Sequence, residues 1–494
     1  MWVLAEEWDD PMTNNMRFDR LLILLLLVVS IAGCATVDFD ASRPPSYALT
    51  DTDATRLGVT VREALDQHPG ESGFLLQTDG LDALATRILL AARAERSIDL
   101  QYYLISPDVT SRLFVGALLA AADRGVRVRL LLDDVFTTGY DEGMMALDAH
   151  PNFEVRLFNP FVRRDARWLD GLTGFSRVNR RMHNKSFTVD NQVTIIGGRN
   201  VGAEYFAARE DMNFGDLDVV AVGPVAKDVS GMFDRYWNDE LAVPVSAVAE
   251  PLENPAARLD VLRADVSNAL DEVQETAYAG ALSRNIDDVI ALDADTFSWS
   301  SWELVYDDPE KARTDEQADA AASIRTPLKT SLEQATDSVL IVSPYFVPNK
   351  ALLEGLQRFR DRGVNITVVT NSLSATNHDV VHSGYGPSRK KMLRMGVEIW
   401  EVMASQLISG TDEAGVASAS GALHTKGFIV DRDELFLGSF NWDPRSAYIN
   451  TESGIILRSG QIAGDALDAG LQRLPEVAYR VVLTEQGDLA WVDE

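Results

Sequence analysis

The chain has 494 residues, 46% apolar and 24% charged. These proportions match globular proteins and exclude a disordered or fibrous chain, and at ~150 residues per domain the length calls for two to four units. Lys and Arg number 45 against 75 Asp and Glu, for a net charge of −30, which argues against coating nucleic acid through a broad basic surface but leaves room for a small basic pocket around one phosphate. Cys34 is the single cysteine and there are six histidines, so no intrachain disulfide can form and there is little material for a Cys/His metal cluster.

Leu21–Val29 is an apolar run behind Arg17 and Arg20, followed by Ile31-Ala32-Gly33-Cys34. A basic start, a short apolar core and small residues read as a secretory signal, too short for a spanning helix of ~20 residues. Ile31–Cys34 resembles the lipobox of bacterial lipoproteins, which implies cleavage after residue 33 and lipidation of Cys34. Ala35 in the next position resembles the pattern sent on to the outer membrane. The expectation is an envelope protein facing the periplasm, held to a membrane by a lipid anchor. The acidic residues 1–15 before Met16 oppose the usual charge layout of a signal and read as an over-extended start. Residues 34–79, with Pro44-Pro45 and Thr50–Asp53, read as a tether and entry segment.

The rest of the chain reads as a duplication. Ala122-Asp123-Arg124-Gly125 followed by Val126–Asp134 parallels Phe359–Gly363 followed by Val364–Asn371. Each is a helix end, a glycine stop and a β-branched or leucine-rich strand. A strand precedes each (Ser97–Leu104; Ser338–Phe346), and Leu81, Leu84, Ile88, Leu89 and Ala92 before the first are spaced for one helix face. Another strand follows in each half (Phe153–Leu157; Val397–Trp400). This order predicts βαβ units: two α/β lobes, each a mostly parallel sheet flanked by helices. The boundaries are 80–245 for lobe 1, 246–319 for a helical connector and 320–494 for lobe 2.

Each half then reaches one signature. His183-Asn184-Lys185 leads to Asp190 and Gly197-Gly198-Arg199-Asn200, and His424-Thr425-Lys426 leads to Asp431 and Gly438-Ser439-Phe440-Asn441. Histidine and lysine at i and i+2 of an extended strand share a face. A neutral imidazole is a nucleophile or general base, and a lysine beside it binds anionic oxygens. Two such pairs around one volume suit a phosphodiester: one imidazole attacks phosphorus and the other protonates the leaving oxygen. One copy alone would be an ordinary edge strand, but two in register are not. Lysine is a poor metal ligand and no third His or Cys accompanies either copy, so no metal is expected.

The pattern His-x-Lys-x-x-x-x-Asp, present twice, resembles the phospholipase D superfamily over residues 80–494, and within it the bacterial cardiolipin synthases of the C type. Gln101-Tyr102-Tyr103, Asp133-Asp134 and Phe440–Ser446 share in the likeness. The resemblance implies a covalent phosphohistidine, no cofactor and one site between the lobes. By that likeness the catalytic motif residues are His183, Lys185, Asp190, His424, Lys426 and Asp431, with His183 the nucleophile and His424 the general acid; the residues themselves do not decide between the two histidines. Lys185, Lys426, Asn200, Asn441 and Ser439 would hold phosphoryl oxygens. Asp190 and Asp431 look more like structural partners than substrate contacts. Gly198 stands where the second copy has Ser439, so the half-sites are not equivalent. Aligning Asp216–Val220 with Asn450–Gly454 nominates Asp218 and Glu452 to orient the histidines, the alternative being pairing with surface arginines.

Weaker signals remain open. Arg163, Arg164, Arg167, Arg177, Arg180 and Arg181 either receive an anionic headgroup or membrane surface or form a solvated loop paired with Asp165 and Asp170, and Trp168, Leu169, Leu172 and Phe175 among them either touch acyl chains or are a lip packed on the core. His382 is a pocket group or a structural histidine. Asp307–Lys311 is a loop over the site or a connector. The expected activity is phosphatidyl transfer, giving cardiolipin if phosphatidylglycerol accepts, with phosphatidylethanolamine as a possible second phospholipid; with water as acceptor it is a phospholipase D. A nucleic-acid phosphodiesterase is disfavoured by the acidic balance and the anchor. A non-catalytic envelope lipoprotein is the remaining alternative.

Overall fold

The computed structural model describes residues 37–209, 211–273, 294–313, 323–404 and 420–493. The expected signal segment and Cys34 lie outside these residues.

Two similar halves share one continuous sheet. In the first, β1 (Ser72–Gln77), β2 (Ser97–Tyr102), β3 (Arg127–Asp133), β4 (Phe153–Phe158), β5 (Ser186–Val189), β6 (Val193–Gly197), β7 (Met212–Gly215), β8 (Asp218–Val222) and β9 (Ala242–Pro244) follow in sequence. All but β7 lie in this sheet, in the spatial order β9-β4-β3-β2-β5-β6-β8-β1. Next along the chain comes β10 (Ser298–Tyr306). The second half has β11 (Ser338–Val342), β12 (Asn365–Asn371), β13 (Glu398–Val402), β14 (Ser420–Leu423), β15 (Gly427–Val430), β16 (Glu434–Gly438), β17 (Ser453–Arg458), β18 (Ala478–Leu483) and β19 (Leu489–Val492). Its order is β17-β16-β15-β11-β12-β13-β18-β19. Parallel pairing within it is confined to β2–β3–β4 and β11–β12–β13. The two-lobed α/β architecture is as expected, but the sheet is mixed rather than mostly parallel. The strands after each signature return as antiparallel hairpins, which short turns permit and βαβ crossovers do not.

The helix stops behave as the sequence predicts. Asp108 caps Val109–Asp123 by accepting from the Ser111 N–H, and the chain turns at Gly125 with φ +95°. Asn349 caps Lys350–Asp361 likewise, and Gly363 turns at +86°. The left-handed conformation at both stops favours a residue without Cβ.

Two segments differ from the sequence reading. Residues 37–79 are no tether: Leu57 and Val61 of helix Arg56–Gln67 join the lobe 1 core, and β1 pairs with β8. The polar stretch before them is held through its carbonyls, with Arg129 donating to Ser46 (2.8 Å) and Asn191 to Leu49 (3.1 Å). Such anchoring leaves no hydrophobic pattern to read. The segment between the lobes is not purely helical either. Its helix Pro255–Val273 packs on lobe 1, while β10 pairs with β1 through Ser298–Ser300 and with β17 through Ser301–Tyr306. That one strand fuses the two halves. One apolar cluster also spans them, drawing Val225, Met232 and Trp237 from helix Pro224–Trp237 and Ile462, Leu467 and Leu474 from helix Gly460–Val477.

Candidate active site

Both signatures lie on extended chain just before β5 and β15, and the two halves exchange short parallel contacts there. Met182 bridges Thr451, and β14 pairs with β7 up to Leu423 and Gly215. The His183 N–H donates to the Thr451 carbonyl (2.9 Å) and the His424 N–H to the Gly215 carbonyl (2.8 Å). The two contacts are equivalent, each seating a histidine of one half on the chain of the other.

The side chains cross the same seam. His183 Nδ1 lies 2.8 Å from Glu452 Oε2 and 3.1 Å from the Ser439 carbonyl, while His424 Nδ1 lies 2.5 Å from Asp216 Oδ2. Nδ1 of His183 faces only acceptors, so it carries the proton and leaves the Nε2 lone pair for chemistry. Tyr103 stands edge-on to the His183 ring at 4.9 Å, and Tyr205 edge-on to His424 at 5.1 Å.

Asp218, nominated to orient a histidine, does not touch one. It accepts from Arg87 Nη2 (2.8 Å) and from the Arg199 N–H (3.2 Å), both buried. The strand register explains the correction. Gly197 pairs with Asp218, whereas Gly438 pairs with Gly454. Asp216, not Asp218, is therefore the counterpart of Glu452. A shift of two residues keeps the same strand face, so the alternating pattern gave no warning.

Gly198 and Ser439 now have separate reasons. A Cβ on Gly198 would run into the Asp216 carboxylate. The Ser439 hydroxyl donates to Glu452 Oε2 (2.5 Å) and accepts from the Ser453 N–H (3.0 Å). It serves the carboxylate behind His183 and is not a free donor to phosphate as expected. Asp190 accepts from the backbone N–H groups of Glu95, Arg96 and Ser97, and Asp431 from those of Thr336, Asp337 and Ser338. Both pin the hairpin after each signature to the strand beside it, and neither faces the histidines.

Lys185 and Lys426 are 1% exposed, and each donates to the carbonyl of its own histidine. Burial, reinforced by Lys426, pushes Lys185 down to about 7, and burial pushes Lys426 down to about 8. Burial likewise pushes His183 down to about 4 and His424 to about 3, against the pull of their carboxylates. Burial works to raise Asp216 and Glu452, but the facing histidines and lysines hold both below the ordinary carboxylate range. At neutral pH the site therefore holds two neutral imidazoles, two ionised carboxylates and two ammonium groups close to their titration. Lys185 feels Glu452, Lys426 and Asp216 together, so the two half-sites form one electrostatic unit. Asn200 Nδ2 donates to the Tyr205 hydroxyl (2.9 Å), and Oδ1 of Asn200 and of Asn441 is buried without a hydrogen-bond partner.

Sequence reasoning missed Asp216, Tyr205 and the supporting role of Asp307. Asp307 accepts from the Glu452 N–H (3.0 Å) and from Lys311 Nζ (2.8 Å), so this loop lies behind the site, not over it. Asp133 accepts from the Met182 N–H (2.7 Å) and fixes the chain entering His183. The arginine stretch is largely paired: Arg163 with Asp170, Arg164 with Asp134 and Asp141, Arg181 with Asp133. His382 lies 2.9 Å from Arg389 and edge-on to Tyr385, in a structural network of lobe 2.

Two fused, similar lobes with a histidine–lysine pair from each at their seam define a phospholipase D-like fold and site. Residues 88–237 and 328–469 match the family described as cardiolipin synthase, PLD-like domain, and the chain belongs to that family. It is 41% identical over 448 residues to cardiolipin synthase C of Escherichia coli K12, covering 89% of this chain and 92% of that protein. It is 24% identical to cardiolipin synthase A of Edwardsiella ictaluri, covering 78% of this chain and 65% of that protein. The solved structure of phosphatidylserine synthase from Haemophilus influenzae Rd KW20 shares the fold, with TM-score 0.57 and 11% identity over 84% of this chain and 91% of that one.

Proposed function

We propose that the protein is a phosphatidyltransferase that makes cardiolipin, with His183 as nucleophile and His424 as general acid and base. The crossed histidine–carboxylate pairs carry this reading. Glu452 aligns His183 so that Nε2 attacks the phosphorus of phosphatidylglycerol. The bond from phosphorus to the glycerol headgroup oxygen breaks, and that oxygen takes a proton from His424. The bound phosphodiester anion favours the charged forms of His424, Lys185 and Lys426, so that neutral His424 takes up a proton from solvent as the substrate binds. In the second half-reaction neutral His424 takes the proton of a hydroxyl on a second phosphatidylglycerol, whose oxygen displaces His183 from phosphorus. The products are cardiolipin and glycerol. Phosphatidylethanolamine as donor would release ethanolamine by the same steps.

Lys185 and Lys426 hold the nonbridging oxygens as charge builds. Turning the Asn200 amide about its Cγ lets Tyr205 donate to Oδ1 and frees both N–H groups for the same anion. Cys34 would carry the lipid anchor, with the protein facing the periplasm from the outer membrane. Among the described residues no helix is long and apolar enough to cross a membrane.

The test is product analysis of the mature protein with labelled phosphatidylglycerol, with and without phosphatidylethanolamine. Cardiolipin supports the proposal. Phosphatidic acid alone would make the protein a phospholipase D, and cleavage of DNA without lipid turnover would make it a nuclease.

A further inference from the structure

Beside His183 lies a cavity of about 210 Å³ that the chemistry above does not use. Val115 and Leu119 of helix Val109–Asp123, Leu130 and Leu132 of β3, Met144 and Leu147 of helix Asp141–Asp148, and Leu262 and Val266 of helix Pro255–Val273 form its walls. The lining is overwhelmingly apolar. Three of its polar neighbours are engaged elsewhere: Arg112 pairs with Glu272, Thr137 with Asp134, and Asp133 with Arg181; Asp265 also lines it. A void with few polar partners does not retain ordered water.

One of its lining residues also borders the active site. Tyr103 lines the cavity and also stands edge-on to the His183 ring, and Phe136, 48% exposed, stands edge-on to Tyr103 at 5.3 Å. An apolar group inside would thus have its polar end beside the reacting phosphorus. Exposed apolar side chains lie on short helices tied to the turn that lines the cavity. Arg164 and Arg167 hydrogen-bond to Asp134 and Thr137, in the turn that lines the cavity. They hold the short helices that expose Trp168, Leu172 and Phe175 by 67%, 75% and 63%. The volume is below the ~300 Å³ of a pocket for a drug-sized ligand. It suits one hydrocarbon chain, not a diacyl lipid.

We propose that this cavity takes one acyl chain of the phospholipid whose phosphate reacts at His183, and so makes lobe 1 the donor side of the site. The proposal builds on the phospholipid reading above. The interlobe helix Pro255–Val273 then has a function: Val266 packs where a Cβ on Gly116 would lie, and Leu262 and Val266 close the outer wall.

Two measurements test it. Photolysis of full-length protein with phosphatidylglycerol bearing a diazirine late in one acyl chain should label peptides carrying Val115, Met144 or Leu262. Labels confined to other peptides, such as the lobe 2 cavity lined by Leu328, Leu352 and Trp442, would overturn the proposal. The second is Gly143→Phe. Gly143 lines the cavity with nothing nearer its Cβ position than Leu262 at 4.0 Å, and lies in a helix where losing glycine is favourable. The variant should lose at least 10-fold in turnover of long-chain phosphatidylglycerol and keep wild-type cleavage of bis(p-nitrophenyl) phosphate, which has no chains. Equal rates on the long-chain lipid, or equal loss on both substrates, would also overturn it. Should the wild-type protein turn over no phospholipid, the proposed function falls, and the labelling map still decides whether the cavity holds a chain.

Discussion

Glu452 Oε2 lies 2.8 Å from His183 Nδ1 although the residues stand 269 positions apart, and Asp216 meets His424 across 208 positions in the opposite sense. Neither half of the molecule can align its own histidine. Glu452→Gln and Asp216→Asn should each fold normally and lower kcat about 10³- to 10⁴-fold, the scale on which loss of an orienting carboxylate acts elsewhere. Steady-state kinetics with circular dichroism checks this; a loss under 10-fold in both would make the pairs merely structural.

Asp218→Asn should act differently. Arg87 and Asp218 are 2% and 1% exposed, so removing the carboxylate leaves a buried guanidinium uncompensated. The expected cost is about 3–5 kcal/mol of stability, read by denaturant unfolding, with the pH profile of the residual activity unchanged.

The pH dependence follows from the site's titrations. Burial depresses His183, so the nucleophile stays neutral until pH falls to about 4, and activity fails below that. Burial also depresses Lys185 to about 7 and Lys426 to about 8, so the free site loses positive charge as pH rises through that range. Above about pH 4 the profile of kcat/KM, which reports the free enzyme, should decline because His424, neutral in the free site, must take up a proton on binding, and it should decline more steeply through an alkaline limb where the lysines lose charge. Arginine at either lysine position keeps its charge to much higher pH, so any activity left in Lys185→Arg should lose its alkaline limb. A limb unmoved by both Lys185→Arg and Lys426→Arg would assign it to another group.

Asp190→Ala should damage the fold more than the chemistry. Three backbone N–H groups would lose their acceptor, at about 1–3 kcal/mol for each that stays buried. Thermal unfolding should shift downward while the KM of the folded fraction stays near wild type.

Much of this was legible in the sequence. The glycine stops, the strands and the two signatures appear where periodicity and spacing put them, because each is a local pattern. Three things were not legible. Asp216 was passed over for Asp218, because a shift of two leaves strand alternation intact and only the pairing of Gly197 with Asp218 and of Gly438 with Gly454 resolves it. Residues 37–79 looked like a tether because carbonyl acceptors, not side chains, hold much of them. β10 joins both halves because its edges meet strands far away in sequence. Tyr205 carries no local signal: its place beside His424 depends on the two halves meeting.

The most direct test of the whole account is to quench a reaction with phosphatidylglycerol labelled in its phosphodiester and map the label. The account predicts a phosphatidyl adduct on His183, absent in His183→Ala and persisting longer in His424→Ala. Label on neither histidine, with turnover intact in both alanine variants, would contradict it.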